Sequence, residues 1–197
     1  MIEILLATYN GEKHLEEQLS SIEEQTYKNW RLRVHDDQSS DGTWEILKAF
    51  QQKHGEDKVI LKKNIPASGG SKNNFIGLIQ VSDAEYIMCC DQDDVWYKDK
   101  IEKTFRRMRQ MEQRFGKDLP LLVYTDLKVV DEKLNELHPS FHKCMNLRTD
   151  SVLNYELIQN QVTGCTVMFN HVLKNYMNVV ENAEHIVMHD HWLALIA

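Results

Sequence analysis

The chain has 197 residues, a size that suits one domain with a substantial core rather than two full domains. Its formal charge of −7, from 23 Lys and Arg against 30 Asp and Glu, argues against a nucleic-acid-binding function. No apolar run approaches the roughly 20 residues that a membrane-spanning helix needs, and the N-terminus lacks the pattern of a signal peptide. The four cysteines form no C-x-x-C pair, so we expect reduced, buried thiols in a cytoplasmic protein.

Short apolar runs alternate with amphipathic segments in the first two thirds of the chain. The predicted strands are Ile2–Ala7, Trp30–Val34, Val59–Leu61, Tyr86–Cys90 and Leu121–Tyr124. Apolar residues at helical spacing predict helices over Leu15–Ile22, after the turn Asp41-Gly42-Thr43, over Phe75–Val81 and around Ile101–Met108. The stretch 64–74, which contains a proline and two glycines, is predicted to be a loop. This alternation predicts an α/β fold with a mostly parallel sheet.

The last third of the chain carries weaker signals. Residues 132–150 show no pattern that favours an element. Gly164-Cys165 interrupts the apolar run 162–169 and indicates a point where the backbone approaches another group closely. An apolar helix is predicted to begin near His189 and to be still running at Ala197, so we expect the domain to be truncated there.

Acidic side chains follow three of the predicted strands. They are Asp36-Asp37 after the second strand, Asp91, Asp93 and Asp94 after the fourth, and Asp126 after the fifth. Ligands of open α/β sheets bind at the carboxyl ends of the strands. We therefore expect these acids to meet in one cleft.

The string Asp91-Gln92-Asp93-Asp94 suggests a metal site. Crowded carboxylates repel one another unless a cation offsets them, and oxygen ligands suit Mg²⁺ or Mn²⁺. Such ions complete their shell with water and substrate phosphates, so a bound diphosphate is the expected partner. The alternative is a turn whose acids cap the following helix.

Two other groups of residues allow both a functional and a structural interpretation. Asp36-Asp37 could accept a hydrogen bond from a pyrimidine base on which Tyr9 stacks, or it could form a turn while Tyr9 packs in the core. Asp190 could be a general base, or a helix N-terminal acid favoured by the helix dipole. His189 and His191 flank it, but an i, i+2 pair is poorly placed on a helix for a zinc site.

Five strings, in this order, resemble family 2 glycosyltransferases with the GT-A fold. They are Leu6-Ala7-Thr8-Tyr9-Asn10-Gly11, His35-Asp36-Asp37-Gln38-Ser39-Ser40-Asp41-Gly42-Thr43, Asp91-Gln92-Asp93-Asp94-Val95-Trp96, Thr163-Gly164-Cys165-Thr166 and His189-Asp190-His191-Trp192. Each is weak by itself, whereas together they span almost the whole chain. The third and fifth most resemble the bacterial rhamnosyltransferase-like branch, which uses dTDP-rhamnose or related donors to build cell-surface polysaccharide.

The resemblance implies one catalytic domain over residues 1–197, built on a Rossmann-like, mostly parallel sheet with helices on both faces. It implies inverting transfer of a sugar, which could be rhamnose, from a dTDP- or UDP-type donor to a glycan or lipid-linked acceptor. Mn²⁺ or Mg²⁺ would be the cofactor, and membrane contact would be peripheral or made through a missing segment. The implied residues are Thr8, Tyr9, Asp36 and Asp37 for the base, Asn74 near the ribose or diphosphate, Asp91 and Asp93 for ribose and metal, Asp94 as a second metal ligand, and Asp190 as catalytic base.

Members of this branch usually continue well past the His-Asp-x-Trp string, which puts the activity of this chain alone in question. A non-catalytic sugar-nucleotide-binding module of the same fold is one alternative. A haloacid-dehalogenase-like phosphatase is another, but it requires its D-x-D near the first strand rather than the fourth. A sugar-nucleotide pyrophosphorylase requires a Gly-rich basic loop after the first strand, and Thr8-Tyr9-Asn10-Gly11-Glu12 does not supply one.

Overall fold

A computed structural model of the chain describes residues 1–148, 153–177 and 183–197. The strands are β1 Ile2–Thr8, β2 Trp30–Asp36, β3 Val59–Lys63, β4 Tyr86–Cys90, β5 Leu122–Tyr124, β6 Val129–Val130, β7 Glu136–His138 and β8 Val167–Asn170. The helices are α1 Leu15–Glu23, α2 Thr43–His54, α3 Ser71–Val81, α4 Lys100–Phe115, α5 Phe141–Cys144, α6 Leu153–Glu156, α7 His171–Asn175 and α8 His189–Ile196. Short 3-10 turns occupy Gly164–Thr166 and Ala183–His185.

The central sheet has six strands in the order β3-β2-β1-β4-β8-β5. Strands β3, β2, β1 and β4 are parallel, whereas β8 runs antiparallel to both of its neighbours. The predicted α/β class with a mostly parallel sheet is therefore confirmed.

The two faces of β1 show why its sequence is almost wholly apolar. Ile2, Ile4 and Leu6 pack in a core with α1, α2 and α4 on one face of the sheet. Leu5 packs on the opposite face in a second core with α3, α7 and α8. A strand covered on both sides buries every residue, so it reads as a continuous apolar run without alternation.

Two expectations about local structure need correction. The loop predicted over 64–74 ends earlier, since α3 begins at Ser71 and contains Asn73 and Asn74 in its first turn. Asn favours turns in general, but two glycines with positive φ, Gly69 (86°) and Gly70 (133°), already turn the chain before the helix. Cys144 is exposed, whereas Cys89, Cys90 and Cys165 are buried as expected.

The strand register brings the chemistry-bearing segments to one edge of the sheet. Thr8 pairs with Asp36, and Leu6 pairs with Cys90, so the loops that follow β1, β2 and β4 leave the sheet side by side. Among the described residues, none of the helices is long and apolar enough to cross a membrane.

Candidate active site

A cleft of about 660 Å³ opens where β1, β2 and β4 end. That volume is in the range of small-molecule binding sites. Its lining comes from the β1 and β2 ends, the loop before α3, the start of α3 and the acidic loop after β4. The residues are Ala7, Thr8, Tyr9, Asp37, Ala67, Gly69, Gly70, Ser71, Asn74, Phe75, Asp91, Gln92 and Asp93.

Asp37 is the acid of the β2 loop that faces the cleft. Its Oδ1 accepts hydrogen bonds from the Asn64 amide at 3.1 Å and from the Ser68 backbone N–H at 2.5 Å. Burial alone would raise the pKa of Asp37, but these hydrogen bonds outweigh it and hold the pKa below its ordinary value. Asp37 is therefore an ionised, fixed acceptor at one end of the cleft.

Asp36 has a different environment from its neighbour. It is fully buried, and its carboxylate accepts hydrogen bonds from the Thr8 hydroxyl at 3.1 Å and from the Ser39 backbone N–H at 3.0 Å. These contacts close the loop after β2 against the end of β1. Asp36 is absent from the cleft lining, so any effect it has on a ligand passes through the position of Thr8 and Asp37.

Tyr9 lines the cleft and is 59% exposed, so the alternative that it packs in the core is wrong. Its backbone is held by Gln92, whose amide accepts from the Tyr9 N–H at 2.9 Å and donates to the Tyr9 carbonyl at 3.1 Å. Gln92 thereby ties the β1 loop to the β4 loop. Local sequence patterns do not indicate this role, although Gln92 lies inside the string that carries the resemblance.

Asn74 and the start of α3 form the opposite wall. The Asn74 amide donates to the His35 carbonyl at 3.0 Å, and its oxygen accepts from Asn64 at 3.1 Å. Gly69, Gly70 and Ser71 present the N-terminus of this 11-residue helix to the cleft. Helix N-termini favour phosphate groups, so this wall suits the diphosphate that the family resemblance places near Asn74.

The acidic loop after β4 is crowded with negative charge. Burial, and then the charges of Asp94, Asp93 and finally Asp190, raise the pKa of Asp91 to about 6. The pKa of Asp94 is also raised, by burial, against the opposing effects of Cys165 and Lys100. Ligand atoms of Asp91, Asp94 and Cys165 all lie within 4.8 Å of one another.

Cys165 and Lys100 are neighbours of this loop that sequence analysis did not assign to it. Burial and the nearby acids raise the pKa of the Cys165 thiol, which therefore stays protonated and is a poor ligand for Mg²⁺ or Mn²⁺. The Lys100 ammonium donates to the Cys165 carbonyl at 2.8 Å and lies 4.1 Å from the Trp96 ring centroid. The oxygen ligands available to a divalent cation here are thus the carboxylates, with Asp93 exposed at the cleft.

Asp190 lies in the first turn of α8 and is buried. Its Oδ1 accepts from the His191 backbone N–H at 2.7 Å. A Cβ placed on Gly164 would lie 3.3 Å from Asp190 Oδ2 and 3.0 Å from His189 Nε2, which accounts for the glycine. The close backbone approach predicted at Gly164 is confirmed, and its partner is the pair His189-Asp190.

The geometry contradicts one expectation about this region and agrees with another. Asp126 is absent from the cleft lining and accepts from the Ser140 hydroxyl at 2.5 Å and from the His142 N–H at 3.1 Å, so it anchors the start of α5. The insertion of β8 between β4 and β5 separates the Asp126 strand from the cleft strands. The histidines beside Asp190 diverge, since His191 contacts the Glu156 carbonyl at 2.5 Å and His189 stacks on Phe75.

The cleft lies at the carboxyl ends of a mostly parallel α/β sheet, which is where such sheets bind their ligands. The family model described as Glycosyl transferase family 2 matches residues 3–169. The chain therefore belongs to glycosyl transferase family 2.

Curated relatives agree with this assignment. The chain is 31% identical over 197 residues to a dTDP-rhamnosyl transferase, RfbG, of Shigella flexneri, covering 95% of this chain and 63% of that protein. It is 24% identical to a protein of Bacillus subtilis named as a teichuronic acid biosynthesis glycosyltransferase, TuaG, covering 86% of this chain and 62% of the relative. The chain thus spans less than two thirds of the length of these relatives.

Solved structures share the fold. Staphylococcus aureus TarS 1–349 in complex with UDP matches with a TM-score of 0.67 at 16% identity, over 98% of this chain and 53% of that one. A mannosyltransferase of Pyrobaculum calidifontis in complex with GDP-Man and Mn²⁺ matches with a TM-score of 0.60 at 16% identity, over 89% of this chain and 46% of the other. At these identities the likeness shows a GT-A fold, as the sequence predicted.

Proposed function

We propose that this chain is the catalytic domain of an inverting, metal-dependent glycosyltransferase that uses a nucleoside-diphosphate sugar. One observation carries the proposal. An ionised acceptor (Asp37), a helix N-terminus and an acidic loop line one cleft at the sheet edge, and the charge of Asp190 contributes to the raised pKa of Asp91 in that loop. Each of these features would bind a different part of the nucleoside-diphosphate sugar.

The nucleoside end of the donor fits the β1 and β2 loops. Asp37 accepts a ring N–H of a pyrimidine base, Thr8 lines the same wall, and the exposed Tyr9 ring offers a stacking surface. Asp36 supports them through its hydrogen bond to Thr8. Asn74 and the α3 N-terminus face the ribose and diphosphate, and Asp91 contacts the ribose.

The carboxylate ligands of the acidic loop fit a hard divalent cation, Mn²⁺ or Mg²⁺. Asp93 at the cleft and Asp94 beside Asp91 are the carboxylates that would hold it, since the nearby Cys165 thiol stays protonated. When bound, such a cation neutralises charge on the nucleoside diphosphate. Burial raises the pKa of Asp91 most, and the charges of Asp94 and Asp93 raise it further; a cation would offset the effect of those charges.

Asp190 is the proposed catalytic base. It removes the proton from an acceptor hydroxyl as that oxygen bonds to the anomeric carbon of the donor sugar. The bond from this carbon to the diphosphate oxygen breaks on the opposite face, so the configuration inverts and the nucleoside diphosphate leaves. Base catalysis of this kind contributes about 10²–10⁴ in rate.

The finer assignments rest on the relatives' names. A dTDP-rhamnosyl transferase and a teichuronic acid biosynthesis protein among the relatives support a dTDP- or UDP-type donor, a rhamnose-like sugar and a glycan or lipid-linked acceptor in cell-surface glycan synthesis. We place this reaction in the cytoplasm, at the inner face of the membrane. The phosphatase alternative is excluded by family membership, whereas a non-catalytic binding module remains an outcome of the test below.

A panel of nucleoside diphosphates tests donor binding. Thermal unfolding is measured with UDP, dTDP, GDP, CDP and ADP, each with and without Mn²⁺. A ligand at about 100 times its Kd adds roughly 2.7 kcal/mol of stability, a shift of about 5–10 °C for a chain of this size. We expect a Mn²⁺-dependent shift with dTDP or UDP. If none of the five nucleotides stabilises either this chain or a longer one, the proposal is contradicted. If a nucleotide stabilises the protein but a longer chain transfers no sugar, the result indicates the non-catalytic binding module.

Gly164→Ala tests whether the turn positions Asp190. The added Cβ would lie 3.0 Å from His189 Nε2 and 3.3 Å from Asp190 Oδ2, so both side chains must shift by a few tenths of an ångström. We expect sugar transfer to fall about tenfold, because transfer is sensitive to small displacements, with nucleotide affinity changed less than about twofold. Gly77→Ala is the matched control, since its Cβ meets nothing nearer than His35 Nδ1 at 4.0 Å and should leave transfer unchanged. Equal activity of the two variants would remove the turn from the mechanism.

A further inference from the structure

His189 is a buried imidazole without a hydrogen-bond partner. The residue is 3% exposed, and within the described part of the chain neither ring nitrogen finds a partner. Trp192, one turn further along α8, likewise has an unpartnered Nε1. Buried polar groups are nearly always paired in native structures, because leaving one unpaired costs stability. These three unpaired ring nitrogens, on two residues one turn apart, indicate that a ligand supplies the missing partner.

The surroundings of His189 link it to the cleft. Its ring stacks on Phe75 with centroids 4.4 Å apart and an angle of 23° between planes, and Phe75 lines the donor cleft. On another side, Nε2 lies against Gly164, beside Asp190 Oδ2. Burial lowers the pKa of His189 to about 4, so at neutral pH the ring has one N–H donor and one acceptor nitrogen.

This position matches one part of the donor better than the others. In a direct displacement, the transferred sugar must lie between the diphosphate and the base. His189 stacks on Phe75, a wall of the donor cleft, and its Nε2 and Asp190 Oδ2 both lie against Gly164. A sugar hydroxyl both donates and accepts, as a neutral imidazole does, whereas a phosphate would favour a cation.

We propose that His189 is a specificity-determining residue, whose ring hydrogen-bonds to a hydroxyl of the sugar carried by the nucleoside diphosphate. Because the ring is covered in the free chain, a rotation of the Phe75 or His189 side chain accompanies the contact. The inference rests on the proposed function and deepens it by naming the side chain that recognises the sugar. It predicts a contact that the bare nucleoside diphosphate does not make.

The test compares two isosteric variants, His189→Gln and His189→Met. Gln keeps a donor and an acceptor, whereas Met keeps neither. Calorimetry with Mn²⁺ measures the affinity for dTDP against dTDP-rhamnose and for UDP against UDP-glucose. For the pair that the wild type binds, we expect His189→Met to weaken sugar-nucleotide binding about five- to tenfold while changing the affinity for the bare diphosphate less than about twofold. His189→Gln should stay within about threefold of the wild type on both.

Stability gives an independent readout. Since an unpaired buried imidazole costs free energy, His189→Phe should unfold at the same or a higher temperature than the wild type while losing affinity for the sugar nucleotide. His142→Phe is the matched control. His142 is also buried with an unpartnered Nε2, but its ring packs on Tyr124, which does not line the cleft, whereas the His189 ring packs on Phe75, which does. His142→Phe should leave both affinities unchanged.

Three outcomes would overturn the inference. Equal losses for diphosphate and sugar nucleotide would make His189 a structural residue. Unchanged sugar-nucleotide affinity in His189→Met would remove the contact. A His189→Gln variant as weak as His189→Met would show that shape rather than hydrogen bonding matters. If the wild-type chain binds none of these four compounds, the proposed function fails first, and the inference fails with it.

Discussion

Replacing Asp190 by Asn is expected to lower the rate of sugar transfer about 1,000-fold and to change donor affinity less than about threefold. The amide keeps the shape of the side chain and can still accept from the His191 N–H, so α8 should begin as before. It cannot take a proton from an acceptor hydroxyl. The rate is measured as nucleoside diphosphate released from the donor in the presence of acceptor, and affinity by calorimetry on the same preparations.

Asp57→Asn is the matched control for Asp190→Asn. Asp57 is exposed and precedes β3, at the edge of the sheet opposite the cleft, so the same chemical change there should leave both rate and affinity unaltered. Transfer by Asp190→Asn at more than about a tenth of the wild-type rate would exclude Asp190 as the base. A loss of donor affinity as large as the loss of rate would instead make Asp190 a donor-binding residue.

Asp93→Asn is expected to weaken nucleoside-diphosphate binding about 100-fold with Mn²⁺ present and less than about threefold without it. A carboxylate that holds the cation contributes to nucleotide affinity only through that cation, because its own negative charge repels the diphosphate. Calorimetry of the best nucleotide from the panel, with and without Mn²⁺, gives both numbers for each chain.

The same substitution at two other acids, Asp94 and Asp37, separates metal binding from nucleoside binding. Asp94→Asn should show a metal-dependent loss of the same sign, since Asp94 lies beside Asp91 in the same loop. Asp37→Asn should weaken binding equally with and without Mn²⁺, because Asp37 faces the nucleoside end of the cleft. An equal loss in both conditions for Asp93→Asn would contradict its role as a metal ligand.

Local patterns were sufficient to predict the elements that face a core. β1, β2, β4 and α4 were predicted from apolar runs and helical spacing, because each depends on burying its own side chains. β8 was not predicted, since its place between β4 and β5 depends on antiparallel pairing with strands that are distant in the sequence. The start of α3 was misplaced by four residues, because Gly69 and Gly70 complete the turn before Asn73 and Asn74.

The candidate site, like the fold, was predicted from the sequence only in part. The identity and order of the acids were readable from the strings that carry the family resemblance. The sequence did not show which acid faces the cleft, since Asp36 and Asp37 are adjacent and differ only in the direction in which their side chains point. Asp36 points inward to Thr8 and Ser39, whereas Asp37 points to the cleft wall. Alternation along an extended segment sends neighbouring side chains to opposite sides.

The sequence by itself determined the fold class, the family resemblance and the set of acids that could hold a donor and a cation. Only the tertiary structure decided that Gln92 ties two loops together, that Asp126 anchors α5, and that His189 is enclosed between Phe75 and Gly164. The physical reason is the range of the interactions. Periodicity and turn chemistry act between residues a few positions apart, whereas these contacts join segments that become neighbours only when the sheet forms and its two faces are covered.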